Sequence, residues 1–321
     1  MASYYEPLDN TARIHVAGHR GLVGSALWRL LLSRGHTGLI GRTSTELDLR
    51  NREAVFDFYR EARPEYIVLA AAKVGGILAN STYPADFLSD NLRVQVNVLD
   101  AAAAWGVRRV LFLGSSCIYP KLAAQPIAEE ALLTGPLEPT NDAYAIAKIA
   151  GIVHVQALRR QRGCSFISAM PTNLYGPNDN FDLQTSHVLA AMLRKFHDAK
   201  VEGRDEVQLW GTGSARREFL HVDDLARACV HLLEHYDDEA PINVGTGIDV
   251  TIRELASTVA DVVGFTGRLA WDASKPDGTP RKLLDVRRIR ELGWEPRISL
   301  RPGLTSTYHW YARRAASVVA A

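Results

Sequence analysis

A tyrosine and a lysine four residues apart, Tyr144 and Lys148, have the clearest potential for chemistry in the sequence. Residues at i and i+4 share one face of a helix, and Asp142 is the expected N-cap of the helix that would carry both. A phenol loses its proton at about pH 10, and a neighbouring ammonium lowers that pKa. We therefore expect Tyr144 to give a proton to a carbonyl oxygen during reduction. The same spacing is common by chance in surface pairs, so its meaning depends on the elements around it.

Three glycines, Gly18, Gly21 and Gly24, stand between an apolar strand predicted at 13–17 and a helix predicted at 25–33. Glycine permits positive φ in such a turn and lets the backbone approach a pyrophosphate, which a helix N-terminus also attracts. Tight packing of strand against helix is the alternative explanation, and only further strand–helix units favour a ligand. Because such units follow, we predict a dinucleotide site. Its other expected turn residues are Arg20, Leu22 and Val23.

The end of the second predicted strand indicates which dinucleotide is bound. An acidic residue about 20 positions on would bind the ribose hydroxyls of NAD, but Gly41, Arg42 and Thr43 stand there. The guanidinium groups of Arg20 and Arg42 suit the 2′-phosphate of NADP, so we expect NADP(H). A solvated surface charge is the alternative interpretation of Arg42. Asp48 follows closely and can accept a hydrogen bond from the adenine amino group.

Apolar strands alternate with helices in the first half of the chain. Five strands are predicted before residue 172, at 13–17, 39–40, 66–72, 110–113 and 166–170. This alternation predicts an α/β fold, a Rossmann-type doubly wound parallel sheet with helices on both faces. The pattern is less regular after residue 177, which indicates a smaller α/β substrate lobe. We expect a tail at 1–12, an NADP-binding domain at 13–177 and a substrate-binding lobe at 178–321, with a strand near 242–245 returning to the first sheet.

The fourth predicted strand ends in Leu113, Gly114 and Ser115. The carboxyl ends of strands face the ligand crevice in open parallel sheets. We therefore expect Leu113 and Gly114 to line the cofactor, and the Ser115 hydroxyl to orient a substrate oxygen beside Tyr144. A loop serine that bonds only its own backbone is the alternative.

Composition limits the partners and the compartment. A net charge of +1 gives no field that would attract nucleic acid or an anionic membrane. Three cysteines, an odd number, favour free thiols in a reducing compartment. The sequence has no signal-peptide pattern, and no apolar run approaches the roughly 18 residues of a membrane span. We expect a cytoplasmic protein that binds neither nucleic acid nor a membrane and holds no metal.

Seven longer segments, at 17–21, 70–77, 113–121, 138–148, 170–177, 217–224 and 274–282, carry a resemblance to a known family. They resemble the extended short-chain dehydrogenase/reductase superfamily, and within it more closely the GDP-L-fucose synthase family, over roughly residues 13–312. Glycine motifs are shared across the superfamily, whereas Ser115-Ser116-Cys117 and the segment 274–278 are more specific. The resemblance implies NADPH-dependent conversion of GDP-4-keto-6-deoxy-D-mannose to GDP-L-fucose by 3,5-epimerisation and then 4-keto reduction.

The resemblance assigns the epimerising acid and base to Cys117 and His187. A ketone at C4 acidifies the protons on C3 and C5, and inversion needs a base on one face and an acid on the other. A thiol and an imidazole can both exchange protons near neutral pH. Taken without the family, Cys117 is more simply a small buried filler, and His187 a residue at a helix start.

The resemblance also assigns binding residues. Beside the nicotinamide it places Pro171, Thr172, Asn173 and Leu174. We also expect Ser115, His187 and Lys148 to bind the cofactor, with Lys148 at the nicotinamide ribose. Around the GDP-sugar it places Lys195, Trp210, Arg217 and Asp277. Lys195 and Arg217 can neutralise a diphosphate, and Trp210 offers a flat face, although a core aromatic is the alternative.

The sequence departs from the family at two of these positions. The family often has Arg where Ser44 and Lys195 stand. The case for NADP therefore depends on Arg20 and Arg42, and bidentate phosphate binding is lost at Lys195.

Three hypotheses about function follow. The leading one is the two-step reaction above, and the second is a related nucleotide-sugar 4-reductase or epimerase with another product. The third is a catalytically silent NADP sensor, which would need none of Ser115, Tyr144 and Lys148. Superfamily members commonly pair long helices across a two-fold axis, so the predicted helices at 87–105 and 144–161 suggest a homodimer by analogy.

Overall fold

The computed structural model describes residues 4–275 and 277–319 of the chain, without the side chains of 317–319. Residues 1–3, 276 and 320–321 belong to the predicted tail and substrate lobe and lie outside the described residues.

A six-stranded parallel sheet forms the centre of the molecule, in the order β2-β1-β3-β4-β5-β9. The strands are β1 (Ile14–Ala17), β2 (Leu39–Ile40), β3 (Tyr66–Leu69), β4 (Arg109–Leu113), β5 (Ser165–Pro171) and β9 (Ile242–Val244). Every residue of β1, β3, β4 and β9 is buried, as expected for strands that helices cover on both faces. The predicted doubly wound parallel sheet is therefore confirmed.

Helices from between the strands cover this sheet in two layers. They are α1 (Leu22–Ser33), α2 (Arg52–Ala62), α3 (Ile77–Thr82), α4 (Pro84–Ala104), α5 (Asp142–Arg162) and α7 (Val222–His235). One layer packs α1 against α7, and the other packs α4 against both α2 and α5. Apolar side chains of both layers share one core with the sheet, so burial of these side chains holds the strands in place.

The chain reverses its direction across the sheet next to β1. From β1 it moves to β2 on one side, and then to β3 on the other side. Helices leave β1 and its neighbours in opposite directions at such a switch point, which opens a crevice at the carboxyl ends of the strands. The glycine turn follows β1 at this edge, Ser115 lies just beyond β4, and Pro171 is the last residue of β5.

A second, smaller core lies beyond this edge. It packs α6 (Val188–Val201), α8 (Ile252–Val263) and α10 (Leu300–Val319) with strands that are mostly short. The strand β8 (Arg216–His221) pairs with β6 (Asn173–Tyr175), β10 (Asp249–Thr251) and β12 (Arg281–Lys282), while β7 (Glu206–Trp210) pairs with β11 (Arg268–Asp272). The short helix α9 (Arg287–Glu291) packs instead near β9.

Several local predictions need correction. The N-cap of α5 is Asn141 and not Asp142, because the helix begins one residue earlier and the Asp142 carboxylate accepts the Ala143 N–H at 2.7 Å. The third strand ends at Leu69, since the chain then turns across the edge and Asn91 binds the Lys73 backbone. The strands β6, β8, β10, β11 and β12 and the helices α3, α9 and α10 were not predicted. In β8 the charged start, Arg216-Arg217-Glu218, hides the alternation that identifies a strand.

The segment predicted as an N-terminal tail packs against the opposite edge of the sheet. The Glu6 N–H donates to the Glu234 carbonyl at 2.9 Å, and the Tyr4 ring lies 4.4 Å from the guanidinium of the buried Arg109. In the part of the chain that the structure describes, no helix is long and apolar enough to cross a membrane.

Candidate active site

The glycine turn between β1 and α1 has the shape of a phosphate cradle. Gly18 has φ +82°, and a Cβ on Gly24 would lie 2.1 Å from the Gly18 carbonyl oxygen, so both positions require glycine. Gly21 is the N-cap of α1, with no side-chain cap and no acidic residue in the first turn. The first turn of α1, which begins with Leu22 and Val23, is therefore not capped by the side chain of its N-cap residue and presents the positive end of the helix dipole, which fits a pyrophosphate.

Two exposed arginines flank the end of β2. Arg42 donates to the Gly41 carbonyl at 3.0 Å, and its guanidinium lies 5.5 Å from the centre of the Phe58 ring. Arg20 and Arg42 both lower the pKa of Glu46, after the larger effect of its hydrogen bonds from Thr43. Sequence reasoning missed Glu46, whose carboxylate accepts from the Thr43 N–H at 2.7 Å and so belongs to the turn. Two guanidinium groups at this point fit a 2′-phosphate.

Asp48 is already engaged within the protein. Arg50 binds its carboxylate at 3.0 Å and also contacts Asp90 at 3.4 Å. Hydrogen bonds from Arg50 lower the pKa of Asp48, so the carboxylate stays ionised. The predicted bond to an adenine amino group would have to share this carboxylate with Arg50.

Ser115, Tyr144 and Lys148 meet at the carboxyl end of β4. The Ser115 hydroxyl accepts the Cys117 N–H at 3.2 Å, as the simpler interpretation held, and it also lowers the pKa of Tyr144. The Lys148 ammonium donates to the Leu113 carbonyl at 2.8 Å. Its burial lowers its pKa to about 8. All three side chains therefore lie within one small region.

The expectation that Lys148 lowers the pKa of Tyr144 is wrong. Burial raises the pKa of Tyr144, the nearby Cys117 raises it further, and the interaction with Ser115 lowers it. The ammonium lies 5.9 Å from the centre of the Tyr144 ring and is directed to Leu113 instead. A phenol held in its protonated form remains a proton donor at neutral pH.

Cys117 lies in the short 3₁₀ turn Ser116–Ile118 and is a partly exposed free thiol. The Lys282 ammonium lies 3.7 Å from its sulfur. Arg217 pairs in register with Lys282 and interacts electrostatically with Cys117. Sequence reasoning missed Lys282, although it lies in 274–282, one of the segments that carry the resemblance. The Cys117 thiol is therefore partly exposed and lies near two cationic side chains. This environment differs from that of a cysteine that only fills space in a core.

His187 is the N-cap of α6, but its side chain makes no capping bond. His187 is exposed to solvent. Protein atoms near its imidazole nevertheless remove part of the surrounding water, and this desolvation lowers the pKa of the ring. The preceding residues pack on the loop that follows β3, where the Gly76 N–H donates to the Thr185 carbonyl at 2.8 Å. Gly75 in that loop lies next to Phe87, since a Cβ added to Gly75 would lie 3.1 Å from the Phe87 ring. The centre of the Phe87 ring lies 6.4 Å from that of the Tyr144 ring. The segment that precedes His187 therefore packs on a loop whose neighbour, Phe87, adjoins Tyr144.

The residues from Pro171 to Leu174 bridge the two cores. The Thr172 N–H donates to the Val244 carbonyl at 3.0 Å, which holds it beside β9. The Asn173 amide donates to the Glu218 carbonyl at 2.8 Å, and Leu174 lies in β6. Gly114 lies beside β5, because its N–H donates to the Ala169 carbonyl at 2.9 Å.

The four expected substrate residues lie around β7 and β8. Trp210 is 59% exposed, which excludes the core-aromatic interpretation. The ammonium groups of Lys195 and Lys275 lie 6.0 and 5.8 Å from the centre of its ring, and Lys275 was not predicted. Asp277 accepts the Thr212 N–H and hydroxyl at 2.7 Å, so it fastens the segment that carries Lys275. Desolvation lowers the pKa of Lys195 and Arg217, as it does for cations in a cleft.

Comparisons with known proteins agree with this geometry. The model of the NAD dependent epimerase/dehydratase family matches residues 14–245. GDP-L-fucose synthase 1 of Arabidopsis thaliana is 60% identical over 305 residues, 95% of this chain and 94% of the relative. GDP-L-fucose synthase of Escherichia coli (strain K12) is 55% identical, over 93% of this chain and 96% of the relative.

A solved structure extends the likeness to the fold with a cofactor in place. The GDP-L-fucose synthetase of Naegleria fowleri bound to NADP has a TM-score of 0.89 and 27% identity, and the match covers 98% of each chain. The resemblance predicted from the sequence segments is confirmed. The chain therefore belongs to the NAD dependent epimerase/dehydratase family and, within it, to the GDP-L-fucose synthases.

Proposed function

We propose that this enzyme converts GDP-4-keto-6-deoxy-D-mannose to GDP-L-fucose with NADPH, first epimerising C3 and C5 and then reducing the C4 ketone. The observation that carries the proposal is the turn after β4, which brings two different proton-handling groups together. On it, Ser115 interacts with Tyr144 and lowers its pKa, and Cys117 lies 3.7 Å from the Lys282 ammonium. Identification of the product by NMR tests the proposal, as set out at the end of the Discussion.

NADPH fits the crevice at the switch point of the sheet. When bound, it supplies the hydride that reduces C4. The cradle of Gly18, Gly21 and Gly24 would receive the pyrophosphate, and Arg20 and Arg42 the 2′-phosphate. The other residues that we assign to the cofactor are Leu22, Val23, Asp48, Leu113, Gly114, Ser115, Lys148, Pro171, Thr172, Asn173, Leu174 and His187.

Cofactor preference gives a first prediction. Replacing Arg42 by alanine should lower the ratio of kcat/KM for NADPH over NADH by about 10- to 100-fold, because one charge-assisted bond to phosphate is lost. Arg60→Ala, which removes an exposed arginine from α2, should leave the ratio unchanged. Equal use of NADPH and NADH by the unaltered enzyme would contradict the assignment.

The reductive half requires a proton on the C4 oxygen. Tyr144 is the donor, since burial keeps its hydroxyl protonated. Ser115 interacts with Tyr144, whose pKa it lowers, and can orient the substrate oxygen beside it. Lys148 has an ammonium fixed to the Leu113 carbonyl, where it can hold the nicotinamide ribose.

The epimerising half requires proton transfer at carbon. The C4 ketone stabilises the carbanion at C3 or C5 as an enolate, so a side chain can remove that proton. Cys117 and His187 exchange these protons with solvent, one as base and the other as acid. The partly exposed thiol and the solvent-open imidazole are both suited to such exchange.

The GDP moiety is assigned to the surface around Trp210. Its exposed ring offers a stacking face for a base or sugar. Lys195, Lys275 and Arg217 supply positive charge for the diphosphate, while Asp277 anchors the loop beside them.

We further infer two lobes and a homodimer that acts in the cytoplasm. Residues 13–177, with the returning strand at 242–244, form the NADP-binding lobe, and most of 178–321 forms the substrate lobe.

Exposed apolar side chains on the packed helices α4 and α5, namely Val96, Ile146 and Val153, support the dimer. Sedimentation should give twice the chain mass, and a monomer at micromolar concentration would contradict it. The free thiols of Cys117, Cys164 and Cys229 support a reducing compartment.

A further inference from the structure

A fully buried glutamate, Glu218, lies at the junction of the two cores, although nothing in its sequence position marks it for chemistry. One carboxylate oxygen accepts the N–H groups of Thr246 at 2.5 Å and Gly247 at 2.7 Å, just beyond β9. The other oxygen accepts the Leu284 N–H at 3.0 Å, just beyond β12. The Gly245 backbone lies very close to the Glu218 side chain, because a Cβ added to Gly245 would lie 2.3 Å from this carboxylate.

The Leu284 bond connects Glu218 to the thiol. Leu284 follows two residues after Lys282, which pairs in register with Arg217 in β8. The Lys282 ammonium lies 3.7 Å from the Cys117 sulfur. By fixing the end of β12 against β8, the Glu218 carboxylate fixes the strand that presents this ammonium to the thiol.

The backbone of Glu218 makes a second set of hydrogen bonds, which do not involve its carboxylate. Its carbonyl oxygen accepts the Asn173 amide at 2.8 Å and the Thr172 hydroxyl at 3.3 Å. Both residues belong to the segment assigned to the nicotinamide. The side chain and the backbone of one residue thus support two different halves of the site.

We propose that Glu218 is a positioning residue for epimerisation, whose carboxylate holds β12 so that Lys282 stays beside Cys117. The inference rests on the proposed function. A carboxylate is needed because both of its oxygens accept hydrogen bonds. An amide has only one oxygen, so its NH₂ group would face a backbone N–H. In Glu218→Gln the oxygen can keep the two bonds from Thr246 and Gly247, and the NH₂ group then meets the Leu284 N–H and releases β12.

The test compares Glu218→Gln with a matched control, Asp224→Asn. Asp224 is also fully buried and accepts two backbone N–H groups, from Arg297 at 3.0 Å and Ile298 at 2.8 Å. Three quantities are measured for each protein: deuterium exchange at C3 and C5 by NMR in D₂O, NADPH affinity by fluorescence, and the unfolding temperature. Glu218→Gln should slow exchange by about 10- to 100-fold, as expected for a group displaced by about 1 Å, while NADPH affinity stays within about twofold. Asp224→Asn should lower only the unfolding temperature.

Two results would overturn the inference. One is an exchange rate in Glu218→Gln equal to that of the unaltered enzyme, and the other is a joint fall of exchange and NADPH affinity in both variants. Glu218→Asp keeps both acceptor oxygens and should retain part of the exchange at full NADPH affinity. If Glu218→Gln does not fold, full exchange in Glu218→Asp overturns the inference. Absence of exchange in the unaltered enzyme would instead overturn the proposed function, and this inference with it.

Discussion

Replacing Tyr144 by phenylalanine is expected to slow reduction of the ketone by about 10²- to 10⁴-fold, the usual contribution of a positioned acid. The change removes only the hydroxyl group, and the ring can keep its edge contact with Phe87. Proton exchange at C3 and C5 should continue, because Cys117 and His187 are unchanged. The rate is read from the fall in NADPH absorbance with saturating substrate.

The control for this variant is Tyr83→Phe, which removes the same atom from a side chain that is 56% exposed. It should reduce the ketone at the unaltered rate. A Tyr144→Phe enzyme that keeps more than about a tenth of the activity would remove Tyr144 from the role of proton donor. A loss of exchange at C3 and C5 in parallel would show that the variant damages the whole site.

The second large effect concerns Cys117→Ser, which should slow exchange of the C3 and C5 protons with solvent by about 10²-fold or more. A serine hydroxyl is close in size, but it is a far weaker acid than a thiol and cannot form the matching base near neutral pH. NADPH should bind as before, since the change leaves the glycine cradle and Lys148 untouched. Exchange is measured by NMR on substrate recovered from D₂O.

Cys164→Ser provides the matched comparison, because Cys164 is also a partly exposed free thiol but follows α5 at the end remote from Tyr144. It should leave both half-reactions unaltered. Unchanged exchange at both carbons in Cys117→Ser would exclude Cys117 from the epimerising mechanism. Loss at one carbon only would assign Cys117 to that carbon.

The cofactor half of the enzyme could be predicted from sequence because its signals are local. The glycines at 18, 21 and 24 follow their strand directly, and Lys148 follows Tyr144 by one helical turn. Strands that helices bury on both faces consist mostly of apolar residues and can also be predicted from sequence, as β1, β4 and β9 show. Errors at these places are small shifts of an element's end, such as the start of α5.

The environment of Cys117 could not be predicted in this way. Lys282 lies 165 residues away along the chain, and only the pairing of β12 with β8 brings it to the thiol. Glu218 looks like one more charged residue in a polar run, because its three backbone donors come from two distant loops. Such contacts depend on tertiary pairing, which periodicity in one segment does not encode.

The predicted lowering of the Tyr144 pKa was wrong for a related reason. The spacing of Tyr144 and Lys148 places both on one helix face, but it does not show how deeply the phenol is buried or where the ammonium points. Burial raises the pKa, and the Leu113 carbonyl draws the ammonium away. The corrected direction strengthens the assignment, since a reductase needs a tyrosine that still holds its proton at neutral pH.

The most direct test of the two-step account is one NMR experiment on the product. GDP-4-keto-6-deoxy-D-mannose is incubated with the enzyme and NADPH in D₂O, and the sugar is then identified with its labelled positions. The account predicts GDP-L-fucose that carries deuterium at both C3 and C5. A 4-reduced sugar that keeps the starting configuration, with no deuterium at either carbon, would contradict it.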